Sequence, residues 1–144
     1  MSKYAYLLIT KEKWWNRRLA QHLAGRDVQV FVRKNASGPI DAKLLLFYIS
    51  QPTGEVRGIA DFKERFVGKI EESWSDYGKE TVFESHNEYI DFMQGRTKAT
   101  FIRFSNLREL SSPIPLKKML EVIGISWLPR GGKYLSQEVV NKLL

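Results

Sequence analysis

Cations set beside aromatic rings are the part of this sequence with the most chemical content. Trp14 stands near Arg17 and Arg18, and both indole faces and guanidinium planes stack on nucleobases. Two roles are open to that tryptophan: a stacking platform, or a plate over a sheet edge. Arg33-Lys34-Asn35 places two cations and an amide at the start of a loop running to Gly38-Pro39. There they suit contact with phosphates and base edges, or plain solvation. Pro129-Arg130-Gly131-Gly132-Lys133-Tyr134-Leu135 reads as a flexible cationic loop carrying an aromatic, and its paired glycines could form a small anion nest.

Groups for bond-making chemistry are scarce. The sequence has no Gly-x-x-x-x-Gly-Lys-[Ser/Thr], no Gly-x-Gly-x-x-Gly and no Gly-x-Ser-x-Gly. His22 and His86 are its only histidines, in unrelated settings that suggest no triad. His86 sits at a helix start, where a capping role suits it better than base catalysis. With no cysteine there is no disulfide or thiolate site, and two histidines exclude a histidine-rich metal site. A pure carboxylate site stays open with nothing pointing to it, and neither metal nor cofactor is expected. The carboxylates cluster mid-chain without a spacing that selects an acid–base pair.

Composition is that of a globular chain, with 43% hydrophobic and 27% charged residues in 144. One domain over 1–144 is expected, and no run approaches the ~20 apolar residues of a membrane span. A cytoplasmic protein with no membrane partner is the expectation. The net charge of +7 is unevenly spread. Residues 1–60 hold ten Lys/Arg against four Asp/Glu, 61–95 four against nine, and 96–144 nine against three. If the two basic segments share a surface, it attracts a polyanion; the acidic 61–95 segment then faces elsewhere or meets a partner, a second copy included.

The elements that must position these residues are legible as apolar patterns. Lys43-Leu44-Leu45-Leu46-Phe47-Tyr48-Ile49-Ser50 is a doubly buried strand with Tyr48 its one polar-tipped side chain. The Gln51-Pro52-Thr53-Gly54 turn joins it to Glu55–Phe62, with Val56, Gly58, Ala60 and Phe62 expected on one face. Upstream come strand Tyr4–Ile9 and a helix capped by Thr10, its inward stripe Trp15, Leu19 and Leu23, with Arg17 and Arg18 toward solvent. Strand Val28–Arg33 follows. Downstream come a short helix near Lys69–Tyr77, a helix entered by the Ser85…Glu88 capping box, and strand Lys98–Phe104, continued past a bulge to Leu110. Ser111–Pro115 should break that ladder before helix Leu116–Ile123, and Ser136 caps a last helix to Leu144.

This order resembles the PUA-like superfamily, and within it the ASCH and EVE domains. Tyr4–Thr10 followed by Lys13-Trp14-Trp15 is similar to the opening of EVE-type domains. Leu23-Ala24-Gly25-Arg26-Asp27 and Arg33 occupy the places of the ASCH "Leu-x-Gly-Lys-Lys-Thr-x-Glu-x-Arg" entry, and Val56–Phe62 those of its "Ile-x-Gly-x-x-x-Val" strand. Glu88–Gly95, Ala99–Leu110 and Pro113–Leu116 continue the likeness. The family's glutamate falls on Phe31 here, a departure that weakens any transfer of chemistry using it. The resemblance implies an α+β fold, a PUA-like bent mixed β-barrel with helices over its ends. It also implies a cleft receiving RNA or a nucleobase, bordered by Trp14, Arg33, Lys34, Asn35, Tyr48 and Ser50, with Arg17 beside it and Arg130, Lys133 and Tyr134 closing over it. Three functions follow as expectations. One is an RNA- or nucleotide-binding module. Another is a metal-independent ASCH-type ribonuclease using Lys34, Tyr48 or Lys133, and the last a protein-interaction or small-ligand domain.

Overall fold

The computed structural model describes residues 3–35 and 38–144. Ala36 and Ser37 of the expected cationic loop lie outside the described residues. In chain order the elements are β1 (Ala5–Thr10), α1 (Glu12–Leu23), β2 (Gln29–Arg33), β3 (Leu44–Ile49), β4 (Glu55–Lys69), α2 (Ile70–Tyr77), α3 (His86–Met93), β5 (Lys98–Pro115), α4 (Leu116–Ile123), β6 (Lys133–Leu135) and α5 (Gln137–Leu143). The strands form one six-stranded mixed sheet, ordered β2-β5-β4-β3-β1-β6. β1 pairs parallel with β3, and the other ladders are antiparallel.

The α+β class is as expected, but the ladder is open rather than closed into a barrel. β2 and β6 are its ends, and β6 is only three residues long, paired with β1. The sheet nevertheless bends far round. One apolar cluster draws Leu8, Phe31, Phe47, Ala60 and Phe104 from β1 through β5, and Trp15 of α1 lies against it. The opposite face carries two clusters. Ala5, Leu7, Leu46 and Val56 lie with Met119 of α4 and Val140 of α5, while Val30, Val32 and Phe101 lie with Ile70 of α2 and Tyr89 of α3. Across the gap between the sheet's ends, Arg33 Nη1 of β2 donates to the Gly131 carbonyl at 2.8 Å, and on the β6 side the Tyr6 hydroxyl of β1 donates to the same oxygen at 2.6 Å.

Several elements depart from the pattern reading. Helix α1 buries Trp15 and Arg18, whereas Leu23 is 77% exposed. Thr10 stays in β1, and the N-cap is Lys11, with no side-chain cap bond. Val56 packs with the α4–α5 cluster, while Ala60 belongs to the Trp15 cluster. A register shift against β3, where Phe47 and Tyr48 pair with Gly58 and Val56, admits Arg57 as an extra residue and turns the alternation over. β4 runs to Lys69, paired beyond Asp61 only with β5. Ser111–Pro115 do not break β5: Ile114 and Pro115 pair with Val56 and Glu55, a bulged place where proline is tolerated. The Ser85 and Ser136 caps form as expected, accepting from Glu88 N and Val139 N.

Candidate functional site

Ile9, near the end of β1, borders two hollows. The first, about 210 Å³, lies between α1, β2 and the segment leading into α3. Trp14, Phe31, Phe83 and Phe92 give it aromatic walls, with Lys11, Arg18 and Arg33 as its cations. Trp14 meets Phe83 and Phe92 edge to face, at ring separations of 5.3 and 6.0 Å. Arg18 is 2% exposed, its guanidinium lying 5.1 Å from the Phe31 ring centre and 5.5 Å from that of Phe104. Burial pushes that guanidinium down to about 9, so it stays charged at neutral pH. Sequence pattern placed Arg18 toward solvent, because the aromatic floor beneath it comes from distant strands.

The second hollow, about 380 Å³, opens at the C-terminal end of β3 against α4 and the loop after it. Tyr48, Ser50, Gln51, Ser126, Trp127 and Arg130 supply its polar and aromatic lining. Tyr48 is 4% exposed; burial raises its phenol above the ordinary value, against the opposing pull of a hydrogen bond with Gln51. It is therefore a hydrogen-bond donor at neutral pH, not a phenolate. Ser50 donates to the Thr10 carbonyl at 3.1 Å, which joins the ends of β1 and β3. Trp127 is 75% exposed, and Arg130 beside it is also exposed. Trp127 and Ser126 went unread in the sequence, although an indole in a loop between a helix-ending glycine and a cationic run was a usable signal.

The expected site residues are thus divided. Trp14 and Arg33 border the first hollow; Tyr48, Ser50 and Arg130 border the second. The Arg33–Gly131 bond brings the two groups to one region, since Gly131 is Arg130's neighbour. Arg17 is bound to Glu84 at 2.9 Å and Glu88 at 2.6 Å, and lies 5.2 Å from the Trp14 ring. Lys34 donates to Gln94 at 3.0 Å beside the Phe92 ring, and the Asn35 carbonyl accepts from Thr100. Lys133 lies in β6 opposite Leu7. Tyr134 meets Tyr6 edge to face at 4.9 Å, its hydroxyl accepting from the Ile40 amide.

No family model matches the sequence. A curated relative from Zymomonas mobilis, an ASCH domain-containing ribonuclease, is 26% identical over 122 residues, covering 85% of this chain and 80% of that one. The crystal structure of ASCH from Zymomonas mobilis superposes with a TM-score of 0.78 at 24% identity, covering 96% of this chain and 92% of that one. A tyrosine-to-phenylalanine mutant of that protein gives 0.79 at 23% identity, covering 98% and 96%. The chain has the fold of these ASCH structures. A serine-to-alanine mutant of the same protein covers 99% of this chain, so the ASCH likeness includes β1 and α1, where the sequence resembles EVE-type domains. Within this ASCH fold the second hollow combines an exposed ring, an exposed cation and three hydroxyl-bearing side chains.

Proposed function

We propose that this chain binds single-stranded RNA at the second hollow. Trp127 stacks on a base, Arg130 meets a phosphate, and the hydroxyls of Tyr48, Ser50 and Ser126 hydrogen-bond the nucleotide. The observation that carries the reading is Trp127, three-quarters exposed on the wall of a concavity that also holds Arg130. A ring of that size left in water beside a cation suits a base far better than it suits solvent. The curated relative's ribonuclease description supports RNA as the ligand class. Arg33 contributes by holding the Gly131 loop, and with it Arg130, against β2.

The same relative favours a second reading, RNA cleavage at this place. Arg130 would stabilise charge on the phosphate, and the Tyr48 O–H would donate to it. The lining residues include neither imidazole nor carboxylate among those described, so the binding reading is preferred. Fluorescence anisotropy with labelled single-stranded RNA tests the binding. Replacing Trp127→Ala should weaken affinity roughly five- to a hundredfold, the range of one stacked base. Undiminished affinity in Trp127→Ala/Arg130→Ala would remove the second hollow as the site. Gel analysis of the same RNA after incubation decides cleavage, provided that any activity is lost in Tyr48→Phe or Arg130→Ala.

A further inference from the structure

The first hollow holds a charge that the protein leaves without a counter-charge. Arg18 is 2% exposed, and its five N–H groups find one acceptor among the described residues, the Val30 carbonyl at 3.3 Å. Its Nε is buried with no partner among the described residues. Three phenylalanine rings surround the guanidinium, those of Phe31, Phe47 and Phe104 at 5.1, 6.0 and 5.5 Å. Among the described residues no Asp or Glu lines the hollow. A buried arginine is ordinarily held by a carboxylate, because an unpaired charge in an apolar setting is strongly disfavoured. Arg18 is one of the residues that line the hollow, and an anion held there is the counter-charge within its reach.

We propose that this hollow is a binding site for a small, flat, ring-bearing carboxylate, whose carboxylate meets Arg18. A guanidinium fork matches the two oxygens of a carboxylate. Trp14, Phe83 and Phe92 offer ring edges and faces for a flat apolar body, and Lys11 and Arg33 reinforce the preference for an anion. The volume of about 210 Å³ lies below the roughly 300–1,000 Å³ of sites for drug-sized ligands, so the ligand is compact. This site adjoins the RNA hollow through Ile9 and Arg33, but the assignment does not rest on RNA binding there.

Isothermal titration of the intact chain with benzoate, indole-3-carboxylate, neutral benzamide and inorganic phosphate tests the assignment. Both ring acids should bind saturably with one site, and benzamide and phosphate about ten- to a hundredfold more weakly, the worth of charge-assisted hydrogen bonds. Arg18→Met should remove binding of the acids. Should that variant fail to fold, the side-chain Nε–H resonance of Arg18 in the wild-type chain serves instead, and should move along the benzoate titration. Benzamide or phosphate binding as tightly as benzoate, benzoate binding unchanged in Arg18→Met, or an unmoved Arg18 resonance would each overturn the proposal.

Discussion

Glu88 does two things at the start of α3. Its Oε1 accepts from the Glu84 amide at 2.9 Å and from Arg17 Nη1 at 2.6 Å, while Glu88 N is capped by Ser85. The hydrogen bond from Arg17, chiefly, holds its carboxyl below the usual glutamate range. A carboxyl depressed in the folded state contributes stability above its unfolded pKa and loses it as pH falls through the folded value. Glu88→Gln should therefore cost about 1 kcal/mol at neutral pH. In urea melts the gap should close below about pH 4, near and beneath the free glutamate value; an equal gap at both pH values would mean the ion pair adds nothing. The Ser85…Glu88 box was legible because it is local. Arg17's role was not, since its partners lie far along the chain, and Arg18's burial was hidden because its aromatic surroundings come from β2, β3 and β5.

Among the elements, α1 and β4 meet at one tight point. A Cβ on Gly58 would sit 2.3 Å from Cη2 of Trp15, which is 1% exposed. Gly58→Ala should cost about 1–3 kcal/mol through overpacking. Trp15→Phe/Gly58→Ala should lose less than the two single losses combined, because the smaller ring gives the methyl room. Strictly additive urea-melt values would place the strain elsewhere. The strands were readable where alternation or an apolar run exceeded the turn signals, as in Leu44–Ile49. The phase beyond Arg57 was not, because a bulge is set by three-strand pairing rather than by local residue types. Ser111–Pro115 misled for a related reason: its prolines signal a break, but the irregular β4–β5 register asks little of their missing amides.

Across the whole molecule, several arginines are engaged internally. Arg17 and Arg103 reach carboxylates of the acidic middle segment at Glu84, Glu88, Glu64 and Glu80, and Arg108 reaches Asp61. The acidic stretch is thus knit to the basic segments that flank it in sequence. Among the described helices none is long and apolar enough to cross a membrane. The net charge of +7 already counts these carboxylates, so what a polyanion meets locally is set by the cations left outside such pairs. A plot of log RNA affinity against log salt should have a slope of about −1 to −2, the signature of two or three phosphates on a single strand. A much steeper slope would mean that cations far from Arg130 also touch the backbone. The bridging of the sheet's two ends has a mechanical outcome. Tyr6 and Arg33 grip a single carbonyl of Gly131, and no ladder backs them up among the described residues. That seam can part by giving up side-chain bonds to Gly131 and Tyr134 while every strand pair stays intact, so thermal opening should begin there, and the Ile40 amide, which bonds the Tyr134 hydroxyl across it, should exchange before the ladder amides.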